Sequence, residues 1–279
     1  MNRPGSLLFG TAGIPLSTVP RDTLSGIRQV KQLGLGAMEV EFVHSINLSK
    51  EAAPLVKKEA DGVVLTCHAP YYINLNAAEP AKRQASAQRI LQSARVMASA
   101  GGWSVCFHPG FYMGGEKEKV YGTVKREVEH IAASLKGEGA SIWIRPETTG
   151  KPSAFGDLDE CIRLAQDVEG VQPCIDFAHL HARSGGKYNS EPEFREIMEK
   201  VEQGLGKEGL HNMHIHMTGI AYSEKGEKHH LVLEESDFRW QELLAVWKEF
   251  GIRGVVVSES PNIEHDALLL KTLWESGNK

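Results

Sequence analysis

Six short apolar segments of this chain each lead into a side chain that binds divalent metals. VVLTCHAP carries His68, WSVCFHPG carries His108, SIWIRPETT carries Glu147 and VQPCIDFAH carries Asp176, with His179 three residues on. NMHIHMTG carries His216 and GVVVSESP carries Glu259. Glu227 and His229 add a further pair in a polar stretch; two residues apart, they share one face if that stretch is extended. Imidazoles mixed with carboxylates are the donor set of zinc and of mixed zinc/manganese sites. Any one of these residues is ordinary at a strand end. Six together call for an architecture that gathers strand ends at one place.

The pattern around them supplies it. Strand-like runs at 7–13, 37–42 and 63–69, and those ending at His108, Glu147, Asp176, His216 and Glu259, alternate with helical patterns. The helices are expected over 22–33, from about Ser49, and over 79–100, 117–136, 157–167, 190–205, 236–250 and 264–276. Eight strands and eight helices on short links predict an α/β fold, a (β/α)8 TIM barrel forming a single domain over 1–279. In such a barrel every strand C-terminus opens onto the face that carries the active site. An open doubly wound sheet shares the alternation, but the count of eight favours closure.

Strand parity places further residues. Cys106 faces with His108, and Cys174 with Asp176, so both point inward as small core residues. Arg145 shares the inward parity of Glu147 and is expected to pair with Glu39 or Glu41, because an unpaired buried charge is costly. His214 lies on the same side as His216 but deeper; His181 and His230 are spare donors. The segments 181–189 and 219–235 read as long, functional loops.

Bulk composition adds limits. Hydrophobic content of 41% suits a large core, and the four cysteines form no CxxC pair. No run is long and apolar enough to span a membrane, and the N-terminal residues do not read as a secretory signal, so a cytoplasmic, intracellular protein is expected. A formal net charge of −5 argues against a nucleic-acid partner only if the pocket is metal-free. Divalent ions would reverse the local sign. The basic clusters Lys82-Arg83 and Lys117 to Arg126 read first as solvated helix faces.

The H-x-x-Y-x-I-N-L pattern from His68 to Leu75, FHPG at 107–110, ETT at 147–149, CIDFAH at 174–179 and ESP at 259–261 carry a resemblance. Nearly the whole chain resembles the endonuclease IV family of abasic-site DNA repair enzymes, within the xylose isomerase-like TIM barrels. The resemblance implies a cluster of two or three Zn2+ ions, with Mn2+ admitted at one position. His68 and His108 would hold the first ion. Glu147 would bridge it to a second, held also by Asp176, His216 and Glu259, and His179, Glu227 and His229 would hold the third. Glu259 and Glu147 are the implied catalytic carboxylates, Tyr71 stands where the family intercalates a Tyr, and the implied partner is double-stranded DNA with abasic lesions, with no obligate protein partner. Clustered divalent ions suit phosphodiester hydrolysis, acidifying water and stabilising the attacking and leaving oxygens.

The chain departs from the family at two points. Glu227-Lys228-His229 replaces the usual Asp-x-His, and FVHSINLSKE lacks the basic residue that the family inserts into DNA. Two other readings fit the donors: a metal-dependent sugar isomerase or epimerase, and a non-catalytic metal-bearing barrel that binds damaged DNA.

Overall fold

Parallel strands covered on both faces need near-continuous apolar runs, and eight such runs close into a barrel in this computed structural model, which describes residues 3–276. The barrel strands are β1 Leu7–Ala12, β2 Ala37–Glu41, β3 Val64–His68, β4 Ser104–Phe107, β5 Trp143–Pro146, β6 Cys174–Asp176, β7 Met213–Met217 and β8 Gly254–Ser258. Each pairs in parallel with its neighbours in chain order. The bridges Ile144 to Val171 and Glu147 to Cys174 close β5 onto β6.

Helices wrap the strands: α1 Thr23–Gln32, α2 Ala53–Glu59, α3 Pro80–Ser99, α4 Lys117–Gly137, α5 Leu158–Asp167, α6 Phe177–Arg183, α7 Glu191–Leu210, α8 Trp240–Phe250 and α9 Glu264–Ser276. Local chemistry sets their starts. The Asp22 carboxylate accepts from the Ser25 N–H at 2.8 Å to cap α1, and Asp157 and Glu160 form a reciprocal capping box on α5. Ser49, the expected start of α2, instead caps a turn before it by accepting from the Ala52 N–H. The 190–205 helix runs on to Leu210 across a kink at Gly206, whose φ of 65° suits glycine. Among the described residues, no helix is long and apolar enough to cross a membrane.

Of the two segments expected as loops, 181–189 is a loop apart from its first three residues, and 219–235 is largely an ordered element. The first overlaps the end of α6, which starts directly after β6. The second holds an antiparallel hairpin, Gly219–Ser223 with Gly226–Leu231.

The main apolar core lies between strands and helices, and a smaller cluster of Ala37, Trp103, Val255 and Val257 lies apart from it. A polar layer is fully buried nearby: Glu39, Ser104, Cys106, Arg145, Cys174 and His214. Here one expectation is corrected. Arg145 pairs with neither Glu39 nor Glu41. It donates to the carbonyls of Pro173 and Asn212 and to Asn212 Oδ1 at 2.9–3.0 Å, and stacks 4.4 Å from the Trp103 ring. Its long stem turns toward the strand starts, where carbonyls satisfy the guanidinium. Glu39 is meanwhile occupied by the imidazoles of His214 and His216, at 3.2 and 2.9 Å.

Candidate metal centre

Glu147 stands one residue past β5, fully buried, and four imidazoles converge on it. His68 Nε2, the end of β3, lies 3.2 Å from its Oε2; His108 Nε2 lies 3.3 Å from its Oε1. His179 and His216 each bring Nδ1 to 3.3 Å of Oε1. Asp176 ends β6 and caps α6, accepting from the His179 N–H at 2.6 Å. That turn fixes His179 beside it. Glu259, one residue past β8, lies 3.4 Å from His216 Nδ1.

The donors sort into three groups at the barrel mouth. His68, His108 and Glu147 form one; Glu147, Asp176, His216 and Glu259 form a second; His179, Glu227 and His230 form a third. In each, one donor atom per residue lies within 4.8 Å of the others. A cavity of about 390 Å³ opens over them, lined by residues of all three groups.

His229 is not in the third group. A bulge in the hairpin leaves Lys228 unpaired, between Tyr222 opposite Glu227 and Ala221 opposite His229. One extra residue reverses the face of everything beyond it. His229 is therefore exposed, and His230 turns in with Glu227. Gly150 makes room: a Cβ there would sit 2.6 Å from Glu227 Oε2 and 3.0 Å from His179 Cδ2.

Backbone carbonyls set the imidazole tautomers. A carbonyl only accepts, so His68 Nδ1 donates to Ala69 O (2.7 Å), His179 Nδ1 to Thr148 O (3.0 Å) and His230 Nδ1 to Glu259 O (3.3 Å). Each then leaves Nε2 facing the donors, the nitrogen that a metal ion would take in place of a proton, as metal-binding histidines do. His179 Nε2 and His230 Nε2 face one another at 3.5 Å. Without metal a proton on one of them joins the pair, and a metal ion can take that proton's place.

The electrostatics point the same way. Burial works against ionisation of Glu147, but the surrounding imidazoles, His108 foremost, outweigh it and hold its carboxyl well below the usual range. Burial would likewise lower His68, yet the Glu147 contact raises it to about 10. His179 is raised well above its ordinary value, the Asp176 and Glu147 carboxylates overcoming burial. Burial pushes Asp176 up to about 8; the His179 charge opposes this, and Glu259 and Glu147 add to it. The buried Oδ2 of Asp176 and Oε1 of Glu147 have no hydrogen-bond partner. Without metal, protons supply the positive charge this donor set needs, and divalent ions fit it.

A family model described as xylose isomerase-like TIM barrel matches residues 27–275. The chain belongs to the xylose isomerase-like TIM-barrel family. It is 42% identical to an uncharacterized protein of Methanocaldococcus jannaschii, over 97% of both chains. Among solved structures in the fold it is similar to endonuclease IV from Thermus thermophilus, with a TM-score of 0.72, 20% identity and 95% and 99% of the two chains covered. A D-tagatose 3-epimerase-like protein is as near, with a TM-score of 0.71, 19% identity and 95% and 96% covered. Solved structures of both kinds thus share this fold, and the mouth residues must separate them.

The remaining expected residues take these positions. Tyr71 is 58% exposed on the rim, its ring 5.6 Å from that of His68. His181 is buried as a brace, Nδ1 donating to Lys187 O and Nε2 3.1 Å from Asp237, away from the donors. His214 lies deeper than His216, with Ser104 Oγ 3.1 Å from its Nδ1. In the basic clusters, Lys82, Lys117, Lys119 and Lys125 each face a carboxylate on the surface. Glu39, expected as a partner of Arg145, faces imidazoles instead. Glu41 was not read as part of the site; burial and the Glu39 charge raise it to about 8.

Proposed function

We propose that this barrel is a metal-dependent phosphodiesterase that hydrolyses DNA on the 5′ side of abasic sites. The observation that carries the reading is the third donor group, His179, Glu227 and His230, adjoining the other two over one open cavity. Proton transfer on a small sugar needs one or two ions, whereas phosphodiester hydrolysis places charge on both the attacking and the departing oxygens. Bound at these groups, zinc-class ions would supply acidic water and neutralise that charge.

This chain's own residues have separate tasks. His68 and His108 would hold one ion, and Asp176, His216 and Glu259 a second, with Glu147 shared between them. His179, Glu227 and His230 would hold the third. Glu259 retains some exposure to the cavity, the place from which a carboxylate can orient a water and take its proton. Tyr71 and Phe111, exposed beside the cavity, offer faces on which unpaired bases stack.

The testing experiment compares wild type with Glu259→Gln on a duplex bearing one abasic analogue. Incision by wild type and its loss in the variant support the assignment. Full incision by Glu259→Gln removes Glu259 from the chemistry.

A second reading rests on a specific feature. Glu147, Asp176, His216 and Glu259 alone form a complete single-ion set, which suits an isomerase or epimerase moving a proton next to a sugar carbonyl. Solvent deuterium entering a ketose at the carbon beside its carbonyl, with no DNA incision, would select that reading.

A further inference from the structure

A fourth donor group lies outside the mouth set. Cys106 on β4, Cys174 on β6 and His214 and His216 on β7 bring two thiols and two imidazoles within 4.8 Å of one another, all fully buried. Strand pairing builds it. Cys174 is the register partner of His214 on the neighbouring strand, and His214 and His216 share a face by the two-residue period.

The spacing is that of a coordination shell. Tetrahedral zinc has bonds of about 2.3 Å to sulfur and about 2.0 Å to nitrogen, so neighbouring S and N donors stand roughly 3.5 Å apart. Cys106 Sγ is 3.7 Å from His216 Nε2. Glu39 adds a carboxylate, its Oε2 3.4 Å from Cys106 Sγ and 3.2 Å from His214 Nε2. Glu39 Oε1 lies 2.9 Å from His216 Nε2, a contact an ion at that nitrogen would replace, and His214 Nε2 is buried without an aligned hydrogen bond. Core packing explains small side chains here. It does not explain two thiols, two imidazoles and a carboxylate converging where an apolar filling would serve.

We propose that Cys106, Cys174, His214 and the Nε2 edge of His216 form a separate, thiolate-rich site inside the barrel for a zinc-class ion. Binding releases the two thiol protons to solvent and leaves two thiolates on the ion; where a mouth ion already holds His216 Nδ1, the Nε2 proton leaves as well and the ring bridges as imidazolate. The site is closed by protein donors, the form of a structural ion. His216 turns Nδ1 to the mouth and Nε2 to this layer, so the interior ion would also fix the orientation of a mouth donor. The inference does not depend on which reaction the mouth performs.

The test is titration of metal-free, reduced protein with Co2+, followed by absorption. Thiolate ligation gives an intense near-ultraviolet sulfur-to-cobalt charge-transfer band, which the nitrogen and oxygen donors of the mouth do not produce. The proposal predicts that band in wild type and in Cys161→Ser, whose thiol is not in the group. It predicts its loss in Cys106→Ser/Cys174→Ser, together with one equivalent of bound zinc. Visible cobalt bands without the charge-transfer band would overturn it, as would unchanged zinc in the double variant. If that variant does not fold, the wild-type spectrum alone decides.

Discussion

His179 Nε2 and His230 Nε2 face each other across 3.5 Å, each ring holding its proton at Nδ1 against a backbone carbonyl. A proton joins that pair in the metal-free protein, and a metal ion can replace it with Glu227 as the third donor. His230→Ala should therefore lower bound zinc by one ion per chain, whereas His229→Ala should leave the content unchanged. Elemental analysis of the purified variants distinguishes them. The reverse pattern would mean that the hairpin register differs from the bulged pairing described above.

Gly150 offers a test without touching a donor. A methyl group there would meet both Glu227 and His179, so Gly150→Ala should weaken the third ion about tenfold or more and spare the others. Chelator competition reads the affinities separately.

The pH dependence has a definite sign. His68 binds its proton more tightly folded, at about 10 against 6.5, so its contribution is complete below about pH 6.5 and is lost as pH rises toward 10. Asp176, raised from 3.8 to about 8, has the same sign, its contribution fading between those values. Metal-free protein should thus melt at a lower temperature at pH 9 than at pH 6. Metals replace those protons, so zinc should stabilise more at pH 9 than at pH 6. A metal-free melting temperature that rises with pH over this span would contradict the protonated-site account.

Arg145 should matter for stability and not for metal. Arg145→Met removes the donors that satisfy the Pro173 and Asn212 carbonyls. The expected cost is about 2–4 kcal/mol of unfolding free energy, with metal content unchanged. Denaturant unfolding with elemental analysis checks both parts.

The barrel was legible because parallel strands covered on both faces leave apolar runs, and its donors were legible because they fall at the ends of those runs. His68, His108, Glu147, Asp176, His216 and Glu259 meet where strand ends predict, and His179 and Glu227, expected from the family resemblance, lie beside them. What failed depended on facts that a period of two does not contain. A one-residue bulge exchanged His229 for His230, and the length of Arg145 let it bypass Glu39 for distant carbonyls. Cys106 and Cys174 did face inward, but only the strand pairing showed which imidazoles they meet.

The most direct measurement is incision of a duplex oligonucleotide carrying one tetrahydrofuran abasic analogue, by zinc-replete and by metal-stripped protein. The analogue resists β-elimination, so only hydrolysis leaves a 3′-hydroxyl on the 5′ fragment. The account predicts that product from the zinc-replete protein alone, restored to the stripped protein when zinc is returned. An intact duplex after incubation with protein shown to hold all three mouth ions would contradict it and leave the sugar chemistry to be tested next.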